Sequence, residues 1–280
     1  MIPVSEHLLT GREVFGFAVA IQFLMIGFGS PLFGAIADKY GSSKAALYGV
    51  ILLIIGLYMM SKVQSSLEII ISQAIFGLGS AGCGTAVVLG AVGKAVKEKN
   101  RTLSLGIVMA AGSLGQFLIV PLAGFLINLS GWTQSIIYLC FISSIMIIFC
   151  FTLTLPKKNG EDSERNNRSL KSVLDEAFAN KSYNLLTLGF FVCGFHVSFV
   201  ATHLPAYLED ISLPIWIGSW SLALIGLFNV FGTLMFGKMG DSKSKKNLLA
   251  ILYSLRAVLF LIFIFLPKNE ITILIFAALL

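Results

Sequence analysis

The chain has 280 residues, of which 56% are hydrophobic and only 12% charged. A water-soluble domain carries about 25% charged residues because its surface faces water, so half that share excludes a cytosolic enzyme, a disordered chain and a nucleic-acid-binding protein. Mean hydropathy of +0.88 makes the bilayer the solvent, and the net charge of +6 then belongs to loop lysines and arginines rather than to a phosphate-seeking face.

Residues 1–10 contain Glu6 and His7 but no basic run ahead of a short apolar core, so they do not read as a signal peptide. Beyond them the chain divides on the ruler of about 20 apolar residues per crossing. Eight spans are predicted, at 14–37, 45–61, 67–93, 103–129, 133–155, 182–207, 215–237 and 247–267. A last apolar run, 271–280, covers only about half of the hydrocarbon core at 1.5 Å rise per residue, so the chain is expected to stop inside a helix. The fold class is therefore all-α, a polytopic membrane helix bundle of eight full spans and a partial ninth. Cys83, Cys140, Cys150 and Cys193 all fall in apolar runs with no C-x-x-C spacing, which reads as buried small hydrophobes and no metal site. Gly77, Gly79, Gly82 and Gly84, and Gly106, Gly112 and Gly115, predict small-residue faces for close helix packing.

Basic residues set the orientation. Loops one, three, five and seven carry sixteen of them, including Lys39, Lys44, Lys94, Arg101, Lys157, Lys181, Lys238 and Lys246, against Arg12, Lys62 and Lys268 on the other side. That bias places the odd loops in the cytoplasm of an inner (plasma) membrane and the N-terminus outside. A helix missing before residue 1 would explain an external N-terminus without a signal.

The first cytoplasmic loop reads Gly34-Ala-Ile-Ala-Asp38-Lys39-Tyr-Gly41, and the seventh reads Gly237-Lys-Met-Gly-Asp241 followed by Lys243, Lys245 and Lys246. Both are G-x-x-x-D with a basic stretch, offset by 203 residues and six helices. Two such halves imply a parent of about twelve spans, as in repeat-built transporters. Three segments follow: an N-terminal half at 1–155, a cytoplasmic connection at 156–181 and a C-terminal half at 182–280. Within the connection, Leu170, Val173, Leu174, Ala177 and Phe178 follow helical spacing, which predicts a short amphipathic helix on the cytoplasmic membrane face.

These two loops resemble the signature of the major facilitator superfamily, G-x-x-x-D-[RK]-x-G-[RK]-[RK], and its degenerate copy. Further stretches resemble bacterial relatives of the monocarboxylate transporters and oxalate/formate antiporters: Arg12-Glu13-Val14-Phe15, Gly112-Ser-Leu-Gly115-Gln116-Phe117 with Pro121, Gly189 to Phe195, His203-Leu-Pro205-Ala-Tyr207 and Ala223 to Asn229. The chain departs from the pattern at Ser42 and Ser43, where a basic pair is usual, at Gln73, where many members place Arg, and at Gln116, where proton-coupled drug exporters have Pro. The resemblance implies a fragment covering the family's helices two to nine and the start of ten. It also implies a transporter that rocks two six-helix halves about a central cavity, with Gly34, Asp38, Lys39, Gly41, Gly237, Asp241 and the outer His203 as gating residues. The full-length protein is expected to be monomeric and to need no cofactor.

Polar groups are costly in hydrocarbon, so their depth is informative. Gln116, His196, Asn229 and Arg256 lie near the middles of their predicted spans, and Gln22 only slightly further out. One layer gathers the five as candidate substrate-binding residues, although Gln22, Gln116 and Asn229 serve equally well as interhelical hydrogen-bonding groups. Arg256 is the only formal charge deep in a span, with Glu68, Glu209 and Asp210 at outer ends and Asp38 and Asp241 at inner ends. Its planar fork suits an anionic ligand, or it serves the scaffold. His196 could carry an accompanying proton, since histidine titrates near neutrality. His203 lies about 10 Å further along the helix, too far for both to hold one metal ion.

These features point to a secondary carrier of small, monocarboxylate-like anions, with or without a coupled proton, whose partners are that substrate and lipid, not nucleic acid. The rivals are an exporter of hydrophobic compounds and a non-transporting receptor or scaffold. No H-E-x-x-H, G-x-S-x-G, Walker loop or paired intramembrane Asp suggests an enzyme.

Overall fold

The computed structural model describes residues 11–98, 101–153 and 170–280. Its elements are α1 (Arg12–Tyr40), α2 (Ser42–Met60), α3 (Ser66–Cys83), α4 (Thr85–Ala95), α5 (Arg101–Ser144), α6 (Met146–Cys150) with a 3-10 turn at Phe151–Leu153, α7 (Leu170–Ala179), α8 (Lys181–Asp210), α9 (Ile215–Ser242), α10 (Lys245–Phe265) and α11 (Glu270–Leu279). The described chain is all-α and contains no strand.

Among the described residues seven helical segments are long and apolar enough to cross a membrane, against eight expected. The difference lies in Leu103–Leu153, which runs 51 residues. At 1.5 Å per residue this is more than twice a core of about 30 Å. Gly131, at φ 78 and ψ 165, is non-helical and joins two helices there. It falls between the two runs that the sequence separates, because only glycine reaches positive φ without a Cβ clash. Pro121 stays within the helical part of α5.

Helix ends follow local chemistry. Ser65 Oγ accepts from the Glu68 N–H at 3.3 Å, while Glu68 Oε2 accepts from the Gln64 N–H at 2.7 Å. The first bond satisfies a donor that α3 leaves free at its start, and the second fixes the residue ahead of the cap. Asn269 caps α11 in the same way, its Oδ1 accepting from the Thr272 N–H at 2.9 Å. Lys268 donates to the carbonyls of Ile264 and Leu266 at the end of α10 and lies 4.5 Å from the Phe263 ring. This C-terminal capping explains one of the few basic residues on the expected outer side.

Packing divides the chain into two compact units, Met1–Val88 with Cys140–Leu204, and Leu89–Leu139 with Pro205–Leu280. They group residues by contact and are not contiguous in sequence. In the first unit α1, α2 and α3 pack through small residues. A Cβ on Gly79 would lie 2.2 Å from the Leu53 nitrogen, one on Gly82 2.7 Å from the Gly49 Cα, and one on Gly77 2.4 Å from the Gln22 carbonyl oxygen. Backbones meet where side chains are missing, which is how helices associate when lipid supplies no hydrophobic drive. Gly106, Gly112 and Gly115 do not form the corresponding face expected on α5, since nothing described lies within 4 Å of their Cβ positions.

In the second unit, close approach on α5 falls instead at Gly124, whose Cβ would meet Ser219 Oγ at 2.6 Å. On α9 it falls at Gly226, facing the Ser113 carbonyl oxygen at 2.8 Å. The α10–α11 pair is joined by aromatics, with Phe263 stacked on Phe276 at 4.0 Å and Phe260 edge-on to it at 5.3 Å. Large apolar side chains are exposed along the spans, Phe125 at 62%, Phe141 at 70% and Phe265 at 86% among them. Such a surface is stable only against lipid. The cysteines behave as small hydrophobes: all four are free, and Cys150 packs with Ala46 and Val50.

Candidate functional site

The signature loop is built on a single residue. α1 ends at Tyr40 and α2 starts at Ser42, leaving Gly41 alone between them at φ 98. Its N–H donates to the Ala37 carbonyl at 3.0 Å, and its own carbonyl accepts from the Ala45 N–H at 3.2 Å. One residue thus closes one helix and opens the next in a conformation that favours glycine. Ser42, where a basic residue is usual, is 8% exposed at the start of α2. Asp38 and Lys39 are exposed in the last turn of α1, and Lys39 Nζ sits 5.2 Å from the Tyr40 ring. No described neighbour comes within 4 Å of the Cβ position at Gly34 or Gly237, so neither marks a close helix crossing. Asp241 is in the last turn of α9, and its side chain lies outside the described part of the molecule.

The five candidate binding residues are spread over five helices. In the first unit Gln22 is on α1 and His196 on α8, both half-buried. In the second, Gln116 is on α5, Asn229 on α9 and Arg256 on α10, all half-buried. Gln116 bridges two helices, its Nε2 donating to the Leu222 carbonyl at 3.0 Å. That bond ties α5 to α9 beside the close approach at Gly226, and Leu222 is about two turns from Asn229 on the same helix. The amide is therefore engaged as interhelical glue. Arg256 Nε donates to the Leu280 carbonyl at 3.1 Å, linking α10 to the end of α11.

Along α8 the rings of Phe195 and Phe199 stack at 6.1 Å, and Phe199 meets the His203 ring at 5.0 Å. Two features depend on burial rather than on sequence. Ser221 on α9 is fully buried and its hydroxyl has no partner among the described residues, and Gln73 is 4% exposed with its amide donating to the Met60 sulfur at 3.5 Å. An isolated Ser or Gln in an apolar run carries no sign of which side it faces when the neighbours on both sides are apolar.

A family model described as the Major Facilitator Superfamily matches residues 1–280. The chain belongs to that superfamily. It is 22% identical over 262 residues to the uncharacterized MFS-type transporter YcxA of Bacillus subtilis, covering 91% of this chain and 63% of that protein. It is 24% identical over 217 residues to monocarboxylate transporter 13 of Bos taurus, covering 77% of this chain and 50% of that protein. The chain thus spans about half to two thirds of the curated relatives it matches. Among solved structures, the proton:xylose symporter XylE of E. coli superposes with a TM-score of 0.65 at 16% identity, over 96% of this chain and 69% of that one. The likeness establishes the fold of a major facilitator protein. Together with the apolar helices it makes this chain a multi-pass integral membrane protein.

Proposed function

We propose that the protein is a secondary transporter of small organic anions of the monocarboxylate type, moving them by alternating access with or without a coupled proton. The observation that carries the anion is Arg256, a guanidinium half-buried near the middle of the apolar helix α10. Desolvated arginine demands acceptors, and its Nε already has one in the Leu280 carbonyl. The terminal nitrogens present the fork that binds a carboxylate in two-pronged fashion. The relative named as a monocarboxylate transporter supports the same chemistry. His196 on α8 is the proton carrier in this reading, and Asn229, Gln116 and Gln22 are its further polar candidates. Asp38, Lys39 and Gly41 with Gly237 and Asp241 govern the cytoplasmic gate, and His203 the outer one.

The test is uptake of a radiolabelled monocarboxylate into cells expressing the protein, with Arg256→Lys and Arg256→Gln alongside and yield measured for each. Removing one partner of a desolvated ion pair costs ~3–5 kcal/mol, so Gln should weaken substrate affinity by orders of magnitude and Lys by an intermediate factor. Unaltered affinity with reduced yield in both variants would make Arg256 a scaffold residue and leave His196 as the leading candidate. Extrusion of hydrophobic dyes without anion uptake would favour the exporter instead.

A further inference from the structure

The second half of α8 has two unlike sides. His196, Phe199 and His203 share one side by helical spacing, and Phe195, one turn before Phe199, borders it. Val200 and Leu204 turn away from that side and are buried, at 6% and 7% exposure. Phe195 and Phe199 are open at 64% and 52%, and His203 is exposed as well. The rings form a ladder: Phe195 and Phe199 lie 6.1 Å apart with 24° between their planes, and His203 lies 5.0 Å from Phe199 at 40°. Positions 195, 199 and 203 set this pitch, because four helical residues rise about 6 Å. Aromatics elsewhere are consumed by packing. Phe260 and Phe263 both close on Phe276 of the next helix, which is left 4% exposed, whereas the α8 ladder stays open.

Neither lipid nor bulk water suits this side. Hydrocarbon offers nothing to the ring nitrogens of an imidazole, and polar side chains inside spans turn toward protein or a water-filled path. Open phenylalanine rings, in turn, gain nothing from water. The occupant that satisfies both is flat and apolar over its body with an acceptor at its edge. An aromatic ring packs on phenylalanine offset or edge-on at centroid distances of about 4.5–7 Å, the range this ladder already uses. Neutral or charged, an imidazole keeps an N–H to donate, so His203 at the end of the ladder supplies the polar contact.

We propose that Phe195, Phe199 and His203 form an aryl-binding subsite, so that the carried anion is an aromatic monocarboxylate of the benzoate class. Its ring packs on the two phenylalanines, and the His203 N–H donates to a carboxylate oxygen. The carboxylate rests on the anion reading given above, whereas the aryl group rests on the ladder alone. Short aliphatic acids leave the rings uncovered and bind less tightly.

The test is equilibrium binding to the wild-type protein in phosphatidylcholine nanodiscs, with radiolabelled benzoate and cyclohexanecarboxylate as probes. The two acids match in charge and nearly in size, but only benzoate has a flat π face. Benzoate is expected to bind about tenfold more tightly, as two ring contacts would give. Phe199→Leu keeps an apolar side chain of similar reach and should bring the two affinities to within about twofold, with Phe195→Leu acting in the same direction. Phe190 is also 64% exposed but lies nine residues from Phe199, on the opposite side of α8, so Phe190→Leu should leave the preference intact. Equal affinities in the wild type, no binding of either acid, or a preference that survives Phe199→Leu would overturn the subsite and assign the rings to lipid or helix packing. Neutral benzamide separates the two readings. Weaker binding than benzoate supports both, whereas equal binding that is lost in Phe199→Leu would keep the aryl subsite and overturn the carboxylate.

Discussion

At the scale of single residues, the glycines separate cleanly by what surrounds them. A Cβ at Gly79 would press on the Leu53 nitrogen at 2.2 Å and the Leu53 Cα at 2.6 Å. Both are backbone atoms that cannot rotate away, so α2 and α3 must part. Gly79→Ala is expected to destabilise by about 1–3 kcal/mol through overpacking. Gly112→Ala should be neutral or stabilising by up to ~1 kcal/mol, because nothing described lies within 4 Å and alanine favours helix. Thermal unfolding of both variants in detergent checks the pair, and equal midpoints would contradict the close α2–α3 contact. The sequence shows glycine-rich stretches on both helices. It cannot show which of them meets a neighbour, since that depends on the rotation of the facing helix about its axis.

At the scale of elements, helix ends were more legible than helix contacts. The string Ser65-Ser-Leu-Glu68 is a capping pattern, and the structure uses it, although Glu68 reaches the Gln64 N–H rather than that of Ser65. Ser65→Ala should cost about 1 kcal/mol and speed amide exchange over the first turn of α3, as read by hydrogen–deuterium exchange. Exchange unchanged at Glu68 would mean that the cap contributes nothing. Gln116 shows the opposite case. Its depth near the middle of a span was plain from the sequence, but its bond to the Leu222 carbonyl joins residues 106 positions apart, and no local pattern encodes which backbone carbonyl an amide will find.

For the whole molecule, orientation and gating are the properties to test. In a cysteine-free background, Ser244→Cys should react with an impermeant maleimide only in inverted vesicles and Gln64→Cys only in intact cells. Both positions are exposed, so failure to react cannot be assigned to burial, and the reverse pattern would invert the topology. If Asp38 latches the cytoplasmic gate, Asp38→Asn should slow turnover several-fold without loss of membrane insertion, because the carboxylate supplies a charge-assisted contact that the amide weakens. Turnover at the unaltered rate would reduce the loop to a topology and turn element held by Gly41.

Composition and span lengths determined the all-α membrane class by themselves, and the resemblance of the paired G-x-x-x-D stretches to a family signature pointed to the superfamily. The physical reason is that hydrocarbon forces every backbone group to be satisfied within its own helix, so an apolar run of sufficient length has one outcome wherever its neighbours lie. Gly41 belongs with these, because a one-residue turn at positive φ is a local constraint. The tertiary structure alone decided which glycines close a helix pair, that Gln116 holds a backbone carbonyl on another helix, and that α7 and α8 meet at a capped corner with an open apolar face. Those outcomes depend on the rotation and depth of each helix against its neighbours. Lipid is as apolar as the side chains and leaves little hydrophobic pattern in the sequence to mark the inner face.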